Sequence, residues 1–166
     1  MKKNILKWLD ENVERYVCIA LMSGMTVILF IQVVMRYFFS NSLTWSEELA
    51  RYMFIYLVYF GISYGAKIRR HIKIEAFLGV FPKKLRPVVE ILGDLLFLAF
   101  AGFIIYTAWQ WVGRQIKLHQ RSPALHIPMW VIYAAPFLGF ILTAFRQVQT
   151  IIYRIKLLLN SEGDSL

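Results

Sequence analysis

Charged residues are absent from four long stretches of this chain, at positions 16–35, 52–66, 95–113 and 122–145. A helix needs roughly 20 mainly apolar residues to cross the hydrocarbon core of a bilayer. The first and last stretches reach that length alone. The second reaches it if residues 45–51 lie in the headgroup layer, and the third reaches it by extending back to Pro87. Since 58% of the residues are hydrophobic, the sequence predicts an all-α integral membrane protein with four transmembrane helices.

The sequence also has few residues that could act in catalysis, form disulfides or ligate a metal or a haem. Cys18 is the single cysteine, which excludes a disulfide framework and a dithiol oxidoreductase. His71, His119 and His126 fall in the predicted connections and cannot ligate haem at membrane depth. The sequence has no metal-ligand cluster, nucleophile–base pair or glycine-rich phosphate loop. It therefore predicts no catalytic, cofactor-binding or metal-binding residue and no enzyme activity.

Carboxylates are missing from the middle of the predicted spans. An ion-coupled carrier needs charged or strongly polar groups at mid-membrane, because these bind the ion and the substrate. Here every carboxylate lies at or beyond the end of a span, and the mid-span polar groups Ser23, Thr26 and Ser63 are ordinary interhelical hydrogen-bonding residues. This pattern favours a subunit that serves a partner.

The basic residues, which give a net charge of +9, predict the orientation. Of the 19 Lys and Arg residues, 14 lie in the N-terminal segment, the second connection and the C-terminal tail, and 5 lie in the first and third connections. Because positively charged loops stay in the cytoplasm, we expect both termini and the second connection on the cytoplasmic side of a bacterial inner membrane. The basic residues therefore set the orientation of the spans and attract anionic lipid headgroups, and they do not indicate nucleic-acid binding.

The domain organisation follows from these stretches. We predict one membrane domain over residues 1–166, with spans at about 15–37, 45–66, 88–113 and 128–147. Short amphipathic interfacial helices are expected at about 3–14 and 72–81. In the first, Glu14 is expected on the solvated polar side. Thr44 and Glu47 fit a capping box at the start of the second span, and Pro136 predicts a kink in the fourth.

Three segments stand out in the predicted connections. They read WSEELAR at 45–51, HIKIE at 71–75 and SPALHIPMW at 122–130. In order and placement they resemble the DctQ-like small membrane subunit of tripartite ATP-independent periplasmic (TRAP) transporters, and the resemblance covers about the whole chain.

The resemblance implies two protein partners. A periplasmic substrate-binding protein captures an organic anion such as a C4-dicarboxylate or a sialic acid. A large TRAP membrane subunit carries the sodium and substrate sites. The small subunit packs on the large one, braces it and helps the binding protein to dock.

Three sets of candidate site residues follow from the motifs and the charge pattern. The first, at the outer end of spans one and two, is the candidate interface with the large subunit and contains Arg36, Trp45, Glu47, Glu48 and Arg51. The second is the candidate periplasmic docking patch and contains Arg114, Lys117, Arg121, Ser122, Pro123, His126 and Pro128. The third is expected at the cytoplasmic interface with membrane lipids and contains Trp8, His71, Lys83, Lys84 and Arg86.

Two other functions fit the residues alone. One is a membrane anchor or assembly subunit of a redox or signalling complex. The other is a homo-oligomeric small carrier. The cargo, the stoichiometry and the helix faces that contact the large subunit are not specified by the sequence.

Overall fold

The computed structural model describes the backbone of residues 2–41, 43–68 and 86–163, and the side chains of residues 12–41, 43–67 and 89–156. Within these ranges the chain forms four α-helices: α1 (Lys2–Phe38), α2 (Thr44–Ile68), α3 (Arg86–Leu118) and α4 (Met129–Gly163). The described residues contain no β-sheet, only an isolated antiparallel bridge between Arg121 and Pro128. The predicted all-helical class is confirmed.

Three of the helices contain segments long and apolar enough to cross a membrane: Asn12–Phe38, Val89–Leu118 and Met129–Lys156. The second helix has a similar length but a more polar composition, because Tyr52, Tyr56, Tyr59 and Tyr64 interrupt its apolar residues. Three of the four predicted spans are therefore supported by length and composition.

The helices pack as an open row in the order α1, α2, α4, α3. Among the described residues, the extensive helix–helix contacts are α1 with α2, α2 with α4, and α4 with α3. A row leaves both of its broad faces uncovered, and large apolar side chains are exposed on every helix, among them Phe30, Phe54, Phe103 and Phe145. Lipid or a partner subunit can cover such faces, whereas water disfavours them.

Small residues allow the closest approaches in the row. A Cβ atom added at Gly139 of α4 would lie 2.6 Å from the Cβ of Tyr59 in α2, and one at Gly24 of α1 would lie 2.7 Å from the Cε of Met53. By contrast, Gly61 and Gly65 have nothing within 4 Å of such an atom.

Two helices are continuous at positions where the sequence predicts a segment boundary or a kink. The first helix is continuous from Lys2, so the backbone has no break between the expected interfacial segment 3–14 and the first span. The fourth helix is continuous through Pro136. The expected interfacial helix at 72–81, with His71, Lys83 and Lys84, lies outside the described residues, as do the side chains of Trp8 and Arg86.

Candidate functional site

Polar side chains gather at the two ends of the helix row. We call the end that carries the α1–α2 and α3–α4 connections the loop end, and the opposite end the termini end. Each end holds buried polar and charged groups, and several of these groups join different helices.

At the loop end, Glu48 of α2 fixes the α3–α4 connection. Its side chain is 8% exposed. One carboxylate oxygen, Oε2, accepts hydrogen bonds from the backbone N–H groups of Ala124 (2.7 Å) and Leu125 (3.3 Å). The other, Oε1, accepts a hydrogen bond from the hydroxyl of Tyr52. A carboxylate with three donors around it is well satisfied although it is buried.

The α3–α4 connection, residues 119–128, also closes on itself. The backbone N–H of Ser122 donates to the carbonyl of Ile127 (2.9 Å), and the N–H of Ile127 donates to the Ser122 hydroxyl oxygen (3.1 Å). The N–H of Met129 donates to the carbonyl of Gln120 (2.9 Å). His126 adopts a left-handed conformation with φ of 54°. Ser122 therefore holds the turn together from within.

A second contact at the loop end joins α1 to α2. The buried side-chain amide of Gln32 donates to Oε1 of Glu47 at 2.7 Å. No reciprocal bond between Thr44 and Glu47, as a capping box would give, is found among the described residues. Glu47 instead serves as an acceptor for the neighbouring helix.

At the termini end, Glu14 of α1 is the centre of a buried ionic cluster. It is 2% exposed, so the expectation that it lies on a solvated side is wrong. Its Oε1 accepts hydrogen bonds from Nε of Arg146 (2.8 Å) and from the hydroxyl of Ser63 (2.9 Å), and its Oε2 lies 3.6 Å from Nζ of Lys67. The cluster joins α1, α2 and α4.

A second ionic cluster at the same end joins α3 to α4. The carboxylate of Asp94 lies 2.8 Å from an Arg154 guanidinium nitrogen and accepts a hydrogen bond from the amide of Gln147 at 2.7 Å. The same guanidinium lies 3.3 Å from Glu90. The sequence pattern does not predict that the members of either cluster contact one another.

The region between the two ends carries no charge. Gln32 follows Glu14 by 18 residues, which is about 27 Å along a helix that rises 1.5 Å per residue. This separation is close to the roughly 30 Å thickness of a hydrocarbon core. The polar groups at the two ends are therefore separated, along α1, by about the thickness of a hydrocarbon core.

The five residues of the expected large-subunit interface differ in exposure. Arg36, Trp45, Glu47 and Arg51 are exposed at the loop end, whereas Glu48 is buried in contact with the α3–α4 connection. Among the described residues, no carboxylate lies within ion-pair distance of Arg36 or Arg51. Four of the five side chains thus remain accessible from outside the chain.

The structure brings the expected docking residues together at the end of α3 and in the following connection. Ser122 is buried in the turn, and the other members are exposed, namely Arg114, Lys117, Arg121, Pro123, His126 and Pro128. The guanidinium of Arg114 lies over the ring of Trp111, 5.4 Å from its centroid. The exposed members form a basic surface on a connection that Glu48 fixes.

Sequence reasoning missed Gln32 and Arg146, which join the helices. The available signal was weak: each is a polar residue beside or within an apolar run. Ser63 makes an interhelical hydrogen bond, as the sequence predicts. In the part of the chain that the structure describes, no group of three His, Cys, Asp or Glu side chains is placed to hold a metal ion.

Apolar helices in a row, with polar groups confined to the two ends, define a multi-pass membrane protein. Residues 25–157 match the family described as "Tripartite ATP-independent periplasmic transporters, DctQ component". The chain belongs to this family: it is a TRAP transporter small permease subunit and not an enzyme.

Relatives agree with the family. The chain is 32% identical over 131 residues to a putative TRAP transporter small permease protein of Haemophilus influenzae, covering 79% of this chain and 78% of the relative. It is 28% identical to the sialic acid TRAP transporter small permease protein SiaQ of Vibrio cholerae, covering 99% of this chain and 94% of the relative. It is 26% identical to the isethionate TRAP transporter permease protein DctMQ of Oleidesulfovibrio alaskensis, where 94% of this chain spans only 26% of the relative.

Proposed function

We propose that this small permease subunit braces a large membrane subunit and helps a periplasmic binding protein to dock, in sodium-driven uptake of an organic anion. The observation that carries the proposal is the charge-free middle of the helix row between two ends rich in polar contacts. A row of this kind has no site for an ion or an anionic substrate at mid-membrane. It has broad apolar faces that suit a bracing role.

We further propose that α2 crosses the membrane with the other helices, with both termini in the cytoplasm of a bacterial inner membrane. The ends of α2 lie at about the same two levels as the ends of the apolar segment of α1, since Gln32 donates to Glu47 and Ser63 donates to Glu14. The loop end is then periplasmic. This placement puts the basic docking surface on the side of a binding protein.

The cargo is assigned only to the class of small organic acids and related solutes. Relatives carry names that refer to isethionate, sialic acid, C4-dicarboxylates and ectoine. The family makes a redox or signalling anchor the weaker alternative. Reconstitution of transport distinguishes a homo-oligomeric small carrier from a bracing subunit.

The test of the bracing role is reconstitution of transport. Vesicles would contain this chain, its large TRAP membrane subunit, or both, with the cognate binding protein added outside. Uptake of labelled isethionate, N-acetylneuraminate, succinate or ectoine is expected only when all three proteins and an inward sodium gradient are present. Accumulation of any of these by this chain alone would overturn the proposal.

The placement of α2 is tested by labelling introduced cysteines. In a Cys18→Ala background, Asn41→Cys and His119→Cys are expected to react with a membrane-impermeant maleimide in intact spheroplasts. Lys73→Cys and Ser165→Cys are expected to react only after permeabilisation. Labelling of Asn41→Cys and Lys73→Cys from the same side would show that α2 does not cross.

A further inference from the structure

A groove runs down the interface between α2 and α4 from the loop end. Its volume is about 690 Å³. The walls are mainly apolar, with Ile55 and Val58 on α2 and Met129, Ile132 and Pro136 on α4. Val58 is itself 42% exposed, so the groove opens toward the surroundings of the helix row.

The groove has the depth of one lipid leaflet. Its lining on α2 extends from Glu48 to Tyr59, which is about 16 Å along a helix. Half of a hydrocarbon core is about 15 Å thick. An acyl chain is slender enough to enter.

A polar vestibule of about 390 Å³ adjoins the mouth of the groove and shares Glu48, Arg51 and Pro123 with it. Its other lining residues include Thr44 and Glu47. The vestibule therefore contains both a guanidinium and carboxylates, directly above an apolar channel.

Some of the charged atoms of the vestibule have no ion pair or hydrogen bond to the described residues of the chain. Among the described residues, no carboxylate forms an ion pair with the exposed Arg51. Glu47 bonds Gln32 through Oε1 alone, whereas both oxygens of Glu48 accept bonds within the chain. One cation and one carboxylate oxygen thus remain for a ligand that carries both signs of charge.

We infer that this site binds one phospholipid with a phosphoethanolamine headgroup. The guanidinium of Arg51 binds the phosphate, for which its planar donors are suited. Glu47 accepts from the primary ammonium, and an acyl chain fills the α2–α4 groove. The inference rests on the proposed crossing of α2, and it makes the contact of Arg51 and Glu47 with the large subunit pass through a lipid.

The test is native mass spectrometry of the purified full-length chain in detergent, titrated with palmitoyl-oleoyl phosphatidylethanolamine. The parallel probes are the matching phosphatidylglycerol, the matching diacylglycerol and inorganic phosphate. We expect phosphatidylethanolamine to bind most tightly and inorganic phosphate not to be retained. Arg51→Ala is expected to weaken both phospholipids about tenfold or more and to leave diacylglycerol unchanged.

Three further variants sharpen the result. Arg36→Ala removes an exposed guanidinium at the same end but outside the groove, and it is expected to bind lipid as the parent chain does. Val58→Trp fills the groove and is expected to weaken all lipids while Arg51 is intact. Glu47→Gln is expected to abolish the preference for phosphatidylethanolamine over phosphatidylglycerol and to retain binding.

Equal effects of Arg51→Ala and Arg36→Ala would overturn the inference. So would loss of the bound lipid when the chain is saturated with the large subunit, because that result would show that the partner itself fills the groove. None of these measurements depends on transport. Failure of the lipid site and failure of the bracing role are therefore distinguishable.

Discussion

Adjacent carboxylates at the start of α2 have different environments. Glu47 is exposed and bonds Gln32 across the α1–α2 interface. Glu48 is buried and accepts the N–H groups of Ala124 and Leu125. Consecutive residues on a helix point about 100° apart, so one faces α1 and the surroundings while the other faces the α3–α4 connection.

The first prediction concerns Glu48. Glu48→Ala removes the acceptor of two backbone amides, and hydrogen bonds to a charged group contribute about 1.5–3 kcal/mol each. Amide exchange in the peptide containing Ala124 and Leu125 should accelerate at least about tenfold, as measured by hydrogen–deuterium exchange mass spectrometry. Glu47→Ala is the matched control and should leave that peptide unchanged. Identical exchange in Glu48→Ala and the parent would contradict the assigned role.

The ionic cluster around Glu14 contains charges that are buried, so the loss of one member affects stability strongly. Burial of a charge is costly unless the charge is paired and hydrogen-bonded, and here Arg146, Lys67 and Ser63 surround one carboxylate. Removal of one member of such a cluster is far more damaging than its net contribution to stability suggests, because the partner remains buried without its counter-charge.

The second prediction is a large loss of stability in Glu14→Gln. The loss should be about 3–5 kcal/mol, which corresponds to a fall in apparent Tm on the order of 10 °C. Differential scanning fluorimetry in detergent measures it. Glu90→Gln is the control: its partner Arg154 is partly exposed and keeps Asp94, so the shift should be slight. The double variant Glu14→Leu/Arg146→Met should recover much of the loss, and a double variant less stable than Glu14→Gln would contradict the pairing.

At the scale of the helix, α2 and α4 approach each other closely at Gly139. Gly139 lies against the backbone and Cβ of Tyr59, and the ring of Tyr59 packs on Phe140 with centroids 6.1 Å apart. The hydroxyl of Tyr56 donates to the carbonyl of Val131, one turn before Pro136. Close backbone approach at small residues is the usual means of helix association in lipid.

The third prediction is that Gly139→Ala separates α2 from α4. The new methyl group would meet the Tyr59 carbonyl oxygen at 3.0 Å and its carbonyl carbon at 3.1 Å, and backbone atoms move less readily than a side-chain end. We expect a destabilisation of about 1–3 kcal/mol, read as a lower apparent Tm. Gly102→Ala on α3, where nothing lies within 4 Å, should be neutral or slightly stabilising because alanine favours helix. A neutral result at Gly139 would exclude the tight contact.

At the scale of the whole molecule, charge and apolar surface are separated along one direction. The loop end presents the basic residues of the docking patch, the termini end contains the ionic clusters, and the length between them is apolar on both faces of the row. This division is consistent with the proposed roles, in which the large subunit contacts the row along its length and the binding protein docks at one end.

The fourth prediction concerns the basic docking patch. Lys117→Glu with Arg121→Glu reverses charge on exposed residues, so the fold should be kept while association with an acidic binding-protein surface slows. In reconstituted vesicles, the binding-protein concentration for half-maximal uptake should rise several-fold, and its dependence on salt should weaken. Lys156→Glu at the termini end is the control. Unaltered uptake in the double variant would reject the patch as a docking surface.

Much of the fold could be predicted from the sequence, because a bilayer imposes a simple rule on composition. A charge-free run of about 20 residues has to be a helix there, since its backbone groups find no water to bond. The runs at 16–35 and 95–113 lie within two apolar helices, and most of the run at 122–145 lies within a third. The charge-free run in α2, residues 52–66, is shorter, so its interpretation as a span depends on the residues that flank it.

The polar contacts could not be predicted in the same way. Glu14 was placed with the solvated charges of an amphipathic segment, because periodicity along one helix cannot show that Arg146, 132 residues later, lies beside it. The motif at 45–51 marked Glu48 as a contact residue. Its partners in the connection at 124–125 depend on how α2 and α4 pack.

The sequence by itself determined that this protein lies in a membrane, that its spans carry no charge at their centres and that it resembles a transporter subunit. These properties are local, because the hydropathy of each run is set by its own residues. Only the tertiary structure decided the order of the helices, the burial of Glu14 and Glu48, and the groove beside Arg51. Those depend on which residues distant in sequence become neighbours, and close packing of helices determines that.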